Sequence, residues 1–145
     1  MRALIQRVSS AVVSAEGERI AAIGAGLLVL LGVHADDEEE HADRLARKVL
    51  ALRVFDDEGR RMNRSVTEAG GELLCVSQFT LLADARRGNR PSFAAAAPPE
   101  RAEPLYERFR HAIGAQGGRF GARMEVELVN DGPVTLMLDE DASGL

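Results

Sequence analysis

Ser77-Gln78-Phe79-Thr80-Leu81 and Asn130-Asp131-Gly132-Pro133-Val134-Thr135 are the two stretches of this chain whose residue types suit chemistry. The first sets hydroxyl and carboxamide side chains at the end of the apolar run Leu73-Leu74-Cys75-Val76. Where a strand ends, its last backbone N–H groups lose their ladder partners and are free to hold a carbonyl oxygen. With the Ser77 hydroxyl and the Gln78 amide they would stabilise an oxyanion. A solvated strand end has the same composition, and spacing leaves both readings open. The second stretch sets a Gly-Pro bond where a hairpin is expected to turn. X-Pro bonds adopt cis at modest cost, and glycine puts no Cβ against the proline ring. An ordinary turn and a rigid backbone wedge facing a ligand both fit, and the sequence does not fix the peptide isomer.

Neither stretch contains a strong base. His34, His41 and His111 lie in unrelated contexts without ligand spacing, so neither a metal site nor a Ser-His pair is expected. Gly24-Ala25-Gly26 precedes a strand, whereas the dinucleotide fingerprint requires a helix and a third glycine. It reads as a turn, and no cofactor is expected. The single cysteine, Cys75, excludes an internal disulfide, fits a reducing compartment, and reads as a small core residue without an activating neighbour.

The elements that must position these residues follow from periodicity. Arg2 to Val8 and Ala11 to Ala15 read as paired strands broken at Ser9-Ser10, followed by a turn and a short strand at Arg19 to Ile23. The run Leu27 to Val33 reads as an apolar strand. Asp36 and Asp37 are expected to cap a helix with Glu38 to Glu40 in its first turn and Lys48 and Arg53 in its last. Ala42, Leu45, Ala46, Val49 and Leu50 would form its buried face. The acidic run is therefore a dipole-friendly helix start rather than a metal site. Val54-Phe55 and Glu72 to Ser77 read as strands, and Arg60, Arg61, Asn63 and Arg64 as an exposed polar stretch. Pro98-Pro99 starts a helix to about Ile113, with Leu105, Phe109, Ala112 and Ile113 inward and Pro104 as a possible kink. Gly114 to Gly118 reads as a flexible connection. Met124 to Val129 and Val134 to Leu138 read as strands flanking the Gly-Pro turn, with fraying from Asp139 onward. Strands, helix, strands, helix, strands imply an α+β or layered α/β domain with helices on one side.

The 145 residues, 46% apolar and 28% charged, suit one globular domain that buries about two thirds of its unfolded surface. We assign the domain to 1–140 and a short acidic tail to 141–145. No signal-peptide pattern or membrane-length apolar run is present, and the expected location is the cytoplasm. A net charge of −5 argues against nucleic acid. Nine of the 23 carboxylates, however, sit in 36–43 and 139–141 without a basic residue, so the remaining 14 acidic and 18 basic residues carry +4. Seventeen of those 18 are arginine, the better bidentate phosphate ligand. Codon bias explains the arginines equally well, so charge leaves the partner open. Arg86, Arg87 and Arg90, in the loop Ala83 to Phe93, are the candidate phosphate contacts.

Taken with their flanks, the two stretches closely resemble the signatures of the D-aminoacyl-tRNA deacylases, formerly called D-tyrosyl-tRNA deacylases. The likeness also runs through Met1-Arg2-Ala3-Leu4-Ile5-Gln6-Arg7-Val8, Gly26 to Leu30, Leu52 to Phe55, Arg90-Pro91-Ser92-Phe93, Ala97 to Glu100 and Gly118 to Ala122. The resemblance implies a layered β/β/α homodimer without a cofactor, acting on the 3′ end of D-aminoacyl-tRNA, with no DNA or membrane partner. It implies that Ser77, Gln78 and Phe79 hold the aminoacyl ester near main-chain amides, and Thr80 matches a residue considered as a nucleophile. It further implies that Gly132-Pro133 is a cis wedge inserted into the other subunit's pocket to reject L-amino acids, and that Arg7 fixes its orientation. Attack would be RNA-assisted through the terminal 2′-hydroxyl, and a glycine-accepting pocket follows. Leu82, where many relatives carry an aromatic, and Pro104 depart from the family pattern without touching either signature. The rivals are a non-catalytic tRNA-binding module and a dimeric structural protein in which Gly132-Pro133 is only an interface turn.

Overall fold

One long strand, β1 (Arg2–Ala15), organises the computed structural model, which describes residues 1–140. It is continuous through Ser9-Ser10, where two paired strands were expected. What changes there is the face that is buried. Ala3 and Ile5 point into one core, whereas Val8, Ala11 and Val13 point into another. Alternation fixes which face a strand residue takes, so a local irregularity moves the apolar set from one side to the other. The polar pair marks that switch, not a break in the chain.

Each half of β1 has its own neighbour on one edge. β2 (Glu18–Ile23) pairs antiparallel with Ala11–Ala15, and β3 (Gly26–Gly32) pairs antiparallel with Arg2–Val8. The helix α1 (Glu39–Ala51) and a small hairpin, β4 (Phe55–Asp56) and β5 (Met62–Arg64), follow. The chain then enters β6 (Glu72–Ser77), which lies parallel to β3. The helix α2 (Pro99–Ala112) leads to β7 (Gln116–Gly117), which pairs with β6, and then to β8 (Met124–Asp139), which lines β1 along its whole length.

The central pair is buried on both faces, as parallel strands usually are. Leu27, Val29, Leu31 and Cys75 pack with Leu45, Val49, Leu105 and Phe109 of the helices. Leu28, Leu74 and Val76 pack on the opposite side with Val13, Ala21 and Ile23. The helices cover one core on a single six-stranded sheet, ordered β2-β1-β3-β6-β7 with β8 on β1, and the second core lies on the sheet's other face: the expected layered α+β domain with both helices on one side. Burial of Cys75 pushes its thiol pKa up, in keeping with a core residue.

Several local expectations are corrected. The N-cap of α1 is Glu38, whose N–H donates to His41 Nδ1 at 2.8 Å. Asp37 is buried instead, accepting from the Met1 amino group at 2.8 Å and the His34 N–H at 2.7 Å. A carboxylate committed to two charged or polar donors elsewhere is not free to cap. Arg53 lies beyond the end of α1 at Ala51. On α2 the buried stripe is Ala102, Leu105, Tyr106, Phe109 and Ile113, while Ala112 is exposed. Pro104 sits inside α2 without ending it. An interior proline costs about 3 kcal/mol, and burial of Leu105, Tyr106 and Phe109, at about 2 kcal/mol each, outweighs that. Gly114 to Gly118 contains β7 rather than only a connection. Asp139 ends a strand, and Glu140 is buried with its carboxylate held by Arg44. Residues 141–145, assigned to the acidic tail, lie outside the described residues. Among the described residues no helix is long and apolar enough to cross a membrane.

Candidate functional site

The first signature leaves the central sheet at its end. The Gln78 N–H still donates to Leu31 O at 2.8 Å, the last rung of the ladder to β3. The chain then tightens into a 3-10 turn over Phe79–Leu82. Gly32 permits this closeness, because a Cβ there would run into the Leu82 side chain and come 3.2 Å from Gln78 O. The Phe79 and Thr80 N–H groups open the turn and meet no acceptor among the described residues. These are two main-chain donors in want of a partner.

Beside them is a cavity of about 590 Å³. Ser77, Gln78 and Phe79 form one wall, and Phe93, Phe120 and Met124 are among the apolar residues facing them. Phe79 and Phe93 meet edge to face, with centroids 5.0 Å apart at 71°. Among the described residues no titratable side chain lines the space. Thr80 does not line it either; its exposed hydroxyl accepts from the Gln78 carboxamide. The arrangement can position a carbonyl oxygen and exclude water from an apolar group. Among the described residues no cluster of His, Cys, Asp and Glu could hold a metal ion.

The second signature is not a hairpin turn. Both flanks pair with β1 in the same antiparallel sense: Gln6 faces Thr135, and two residues on Val8 faces Asn130. Asp131, Gly132, Pro133 and Val134 are looped out opposite Arg7 as a bulge in one continuous strand. A hairpin would have folded Val134–Leu138 back onto Met124–Val129, but β1 supplies the ladder for both, so the chain need not reverse. The Gly132-Pro133 bond is cis, and Gly132 has φ of +123°. Arg7 holds the bulge from below. Its Nε donates to Asp131 O at 3.3 Å, and its Nη1 donates to Val54 O at 2.8 Å and approaches Asp56 Oδ1 at 3.3 Å. Gly132 and Pro133 are exposed and line no part of the cavity, so within one chain the two signatures are not brought together.

The arginine loop closes on itself. Asp84 and Ser92 exchange N–H···O bonds of 2.8 Å each way. Asp84 then takes Arg86 in a bidentate pair, at 2.9 and 2.7 Å. The Arg86 side chain first, and its backbone N–H second, hold the Asp84 carboxyl at about 2. Arg87 and Arg90 are exposed and make no ion pair among the described residues. Sequence reasoning treated the three alike, whereas the fold has already committed Arg86. It also gave no role to Phe93, Phe120 or Met124 as cavity walls, nor to Val54 and Asp56 beneath Arg7. Long-range packing makes these neighbours, and no local signal announces it.

The model of the family described as D-Tyr-tRNA(Tyr) deacylase matches residues 4–139. A D-aminoacyl-tRNA deacylase of Symbiobacterium thermophilum is 57% identical, covering 97% of each chain. One of Roseiflexus castenholzii is 58% identical, over 96% of this chain and 92% of its own. Among solved structures, a c-Myc DNA unwinding element binding protein superposes with a TM-score of 0.92 at 43% identity, covering 98% of this chain and 100% of that one. A probable eukaryotic D-amino acid tRNA deacylase shares the fold, with a TM-score of 0.81 at 18% identity over 94% and 97% of the two chains. An end-to-end match at this identity leaves one conclusion: the chain belongs to the D-aminoacyl-tRNA deacylase family, whose members are hydrolases of aminoacyl-tRNA.

Proposed function

We propose that the chain hydrolyses the ester between a D-amino acid and the 3′ end of tRNA, releasing the free amino acid and the tRNA. The observation that carries this reading is the pair of unpartnered N–H groups of Phe79 and Thr80 beside a cavity without titratable walls. As water adds to the ester carbonyl carbon, its oxygen gains charge, and main-chain donors already fixed beside the cavity need no reorganisation. Collapse of the tetrahedral intermediate breaks the C–O bond to the ribose, which leaves as its hydroxyl. An aminoacyl ester is an activated acyl group, so positioning and oxyanion donors suffice without a protein base. The neighbouring 2′-hydroxyl of the terminal adenosine assists the attack.

Handedness is selected across a homodimer in this reading. The bulge at Asp131-Gly132-Pro133 projects outward, and Val129, Leu136 and Met137 on the same strand are exposed apolar residues that a second subunit would cover. Gly132-Pro133 of one subunit enters the other's cavity, with Arg7 fixing its orientation, and its main chain leaves no room for an L side chain. Glycine carries only hydrogen there and is accepted, so glycine mischarged on tRNA is also a substrate. Arg87 and Arg90, with Arg86 if released from Asp84, contact the tRNA phosphates. The setting is the cytoplasm, where aminoacyl-tRNA is made.

A paired assay tests the reading. The purified protein should deacylate D-tyrosyl-tRNA and leave L-tyrosyl-tRNA intact. If D-tyrosyl-tRNA survives the incubation, the protein is a binding module and not this hydrolase.

A further inference from the structure

The bulge is closed at its neck by a side-chain network to which neither the family match nor the proposed mechanism assigns a role. Opposite Arg7 the β1–β8 ladder has no partner residue, so the carbonyls on either side of the gap lose their usual donors. Asn130 supplies them. Its Nδ2 donates to Arg7 O at 2.9 Å and to Val134 O at 3.0 Å, one hydrogen for each carbonyl. The Thr135 hydroxyl donates to Asn130 Oδ1 at 3.2 Å, and Gln6 Nε2 donates to Thr135 Oγ1 at 3.3 Å. This chain fixes the amide the right way round, since a flipped carboxamide would set an oxygen against two carbonyl oxygens. The two bonds from Nδ2 close the bulge at its base, joining the strand before it to β1 and to Val134, the last looped-out residue.

We infer that Asn130 and Thr135 are positioning residues that set the shape of the Gly132-Pro133 bulge and thereby the discrimination between D- and L-aminoacyl esters. The inference rests on the deacylase reading for its functional half, but the staple itself is independent of that reading. The Arg7 side chain holds the first residue of the bulge through Asp131 O, whereas Asn130 Nδ2 holds its last residue through Val134 O. The two act on opposite ends of the loop, so loss of the Asn130 bonds frees Val134 to shift while Arg7 keeps its hold on Asp131. A bulge that is displaced rather than absent admits the wrong enantiomer before it loses the right one. The phenotype is thus a changed D/L ratio, not simply reduced activity.

The experiment uses the full-length protein with Asn130→Asp, Thr135→Val and Thr135→Ser. Asn130→Asp is close to isosteric but points a carboxylate at two carbonyls; Thr135→Val keeps the shape and loses the hydroxyl. Two readouts are taken: the ratio of kcat/KM for D- and L-tyrosyl-tRNA, and amide hydrogen exchange of peptides covering 129–136. Both the Asp and Val variants should exchange faster in that segment and lower the D/L ratio. We expect on the order of tenfold for Thr135→Val, the equivalent of about one hydrogen bond, and more for Asn130→Asp. Thr135→Ser should restore both. Wild-type exchange and an unchanged ratio in Thr135→Val overturn the inference, even if Asn130→Asp does not fold. Faster exchange in the Asp and Val variants of a protein whose wild type deacylates neither enantiomer would retain the staple and reject the deacylase reading.

Discussion

At the scale of single residues, the cavity separates main-chain from side-chain chemistry. Ser77 and Gln78 line it, but the donors that lack partners are backbone N–H groups, which substitution does not remove. Removing one oxyanion donor typically costs 10²- to 10³-fold in kcat. Gln78→Ala leaves the amides in place, so a loss below about 10²-fold in kcat is expected, measured by single-turnover deacylation. Thr80 sits outside the cavity with its hydroxyl engaged by Gln78, and Thr80→Val should stay within a few-fold of wild type. A Thr80→Val loss of the order seen for a missing nucleophile would make Thr80 a covalent participant and displace the RNA-assisted reading. That Gln78 borders a pocket was legible from its place at a strand end. That Thr80 turns away was not, because two adjacent residues in a 3-10 turn differ in direction by geometry alone.

At the scale of elements, the loop between Asp84 and Ser92 decides which arginines are available. Asp84 is held far below the usual carboxylate range, so its pairing with Arg86 is present above the unfolded carboxyl value near 4 and is lost only as pH falls through about 2. Near neutrality the pair is therefore always formed, and tRNA affinity should show no pH dependence from it. Asp84→Asn removes the partner's charge and frees Arg86. Tighter tRNA binding is expected, with a log–log salt slope steeper by up to about 0.7 to 0.9, the value for one added phosphate contact. An unchanged slope would show that this loop does not face the phosphates. The sequence displayed the arginines but not the Asp84–Ser92 closure, which depends on a bridge between residues of no shared pattern.

At the scale of the whole molecule, one chain holds the cavity and the exposed Gly132-Pro133 bulge apart, and the proposed wedge needs a second subunit. Gly132 could not carry a side chain where it stands: its φ is +123°, and a Cβ would lie 2.8 Å from Val134 Cγ2 and 3.2 Å from Arg7 Nη2. Gly132→Ala should disable the wedge, and Ala122→Trp should fill the cavity. Each variant alone is expected to be inactive. Co-refolded in equal amounts, they should recover roughly a quarter of wild-type activity, since half the dimers are mixed and each has one intact site. Absence of any recovery would refute a site shared between subunits.

Local rules were enough for the element order, the layered class, the buried face of α1 and the two signatures, because periodicity and turn chemistry act over a few residues. The resemblance of those signatures to a known family then identified the family. Three things were settled only by distant parts of the chain. β1 runs unbroken because β8 pairs with it throughout; the Gly-Pro segment is a bulge rather than a turn because β1 holds both its flanks; and Asp37 is drawn from the helix start to the Met1 amino group. Each is a competition between a local preference worth about a kilocalorie and many tertiary contacts acting together. Pairing across the sheet wins, and sequence spacing carries no record of it.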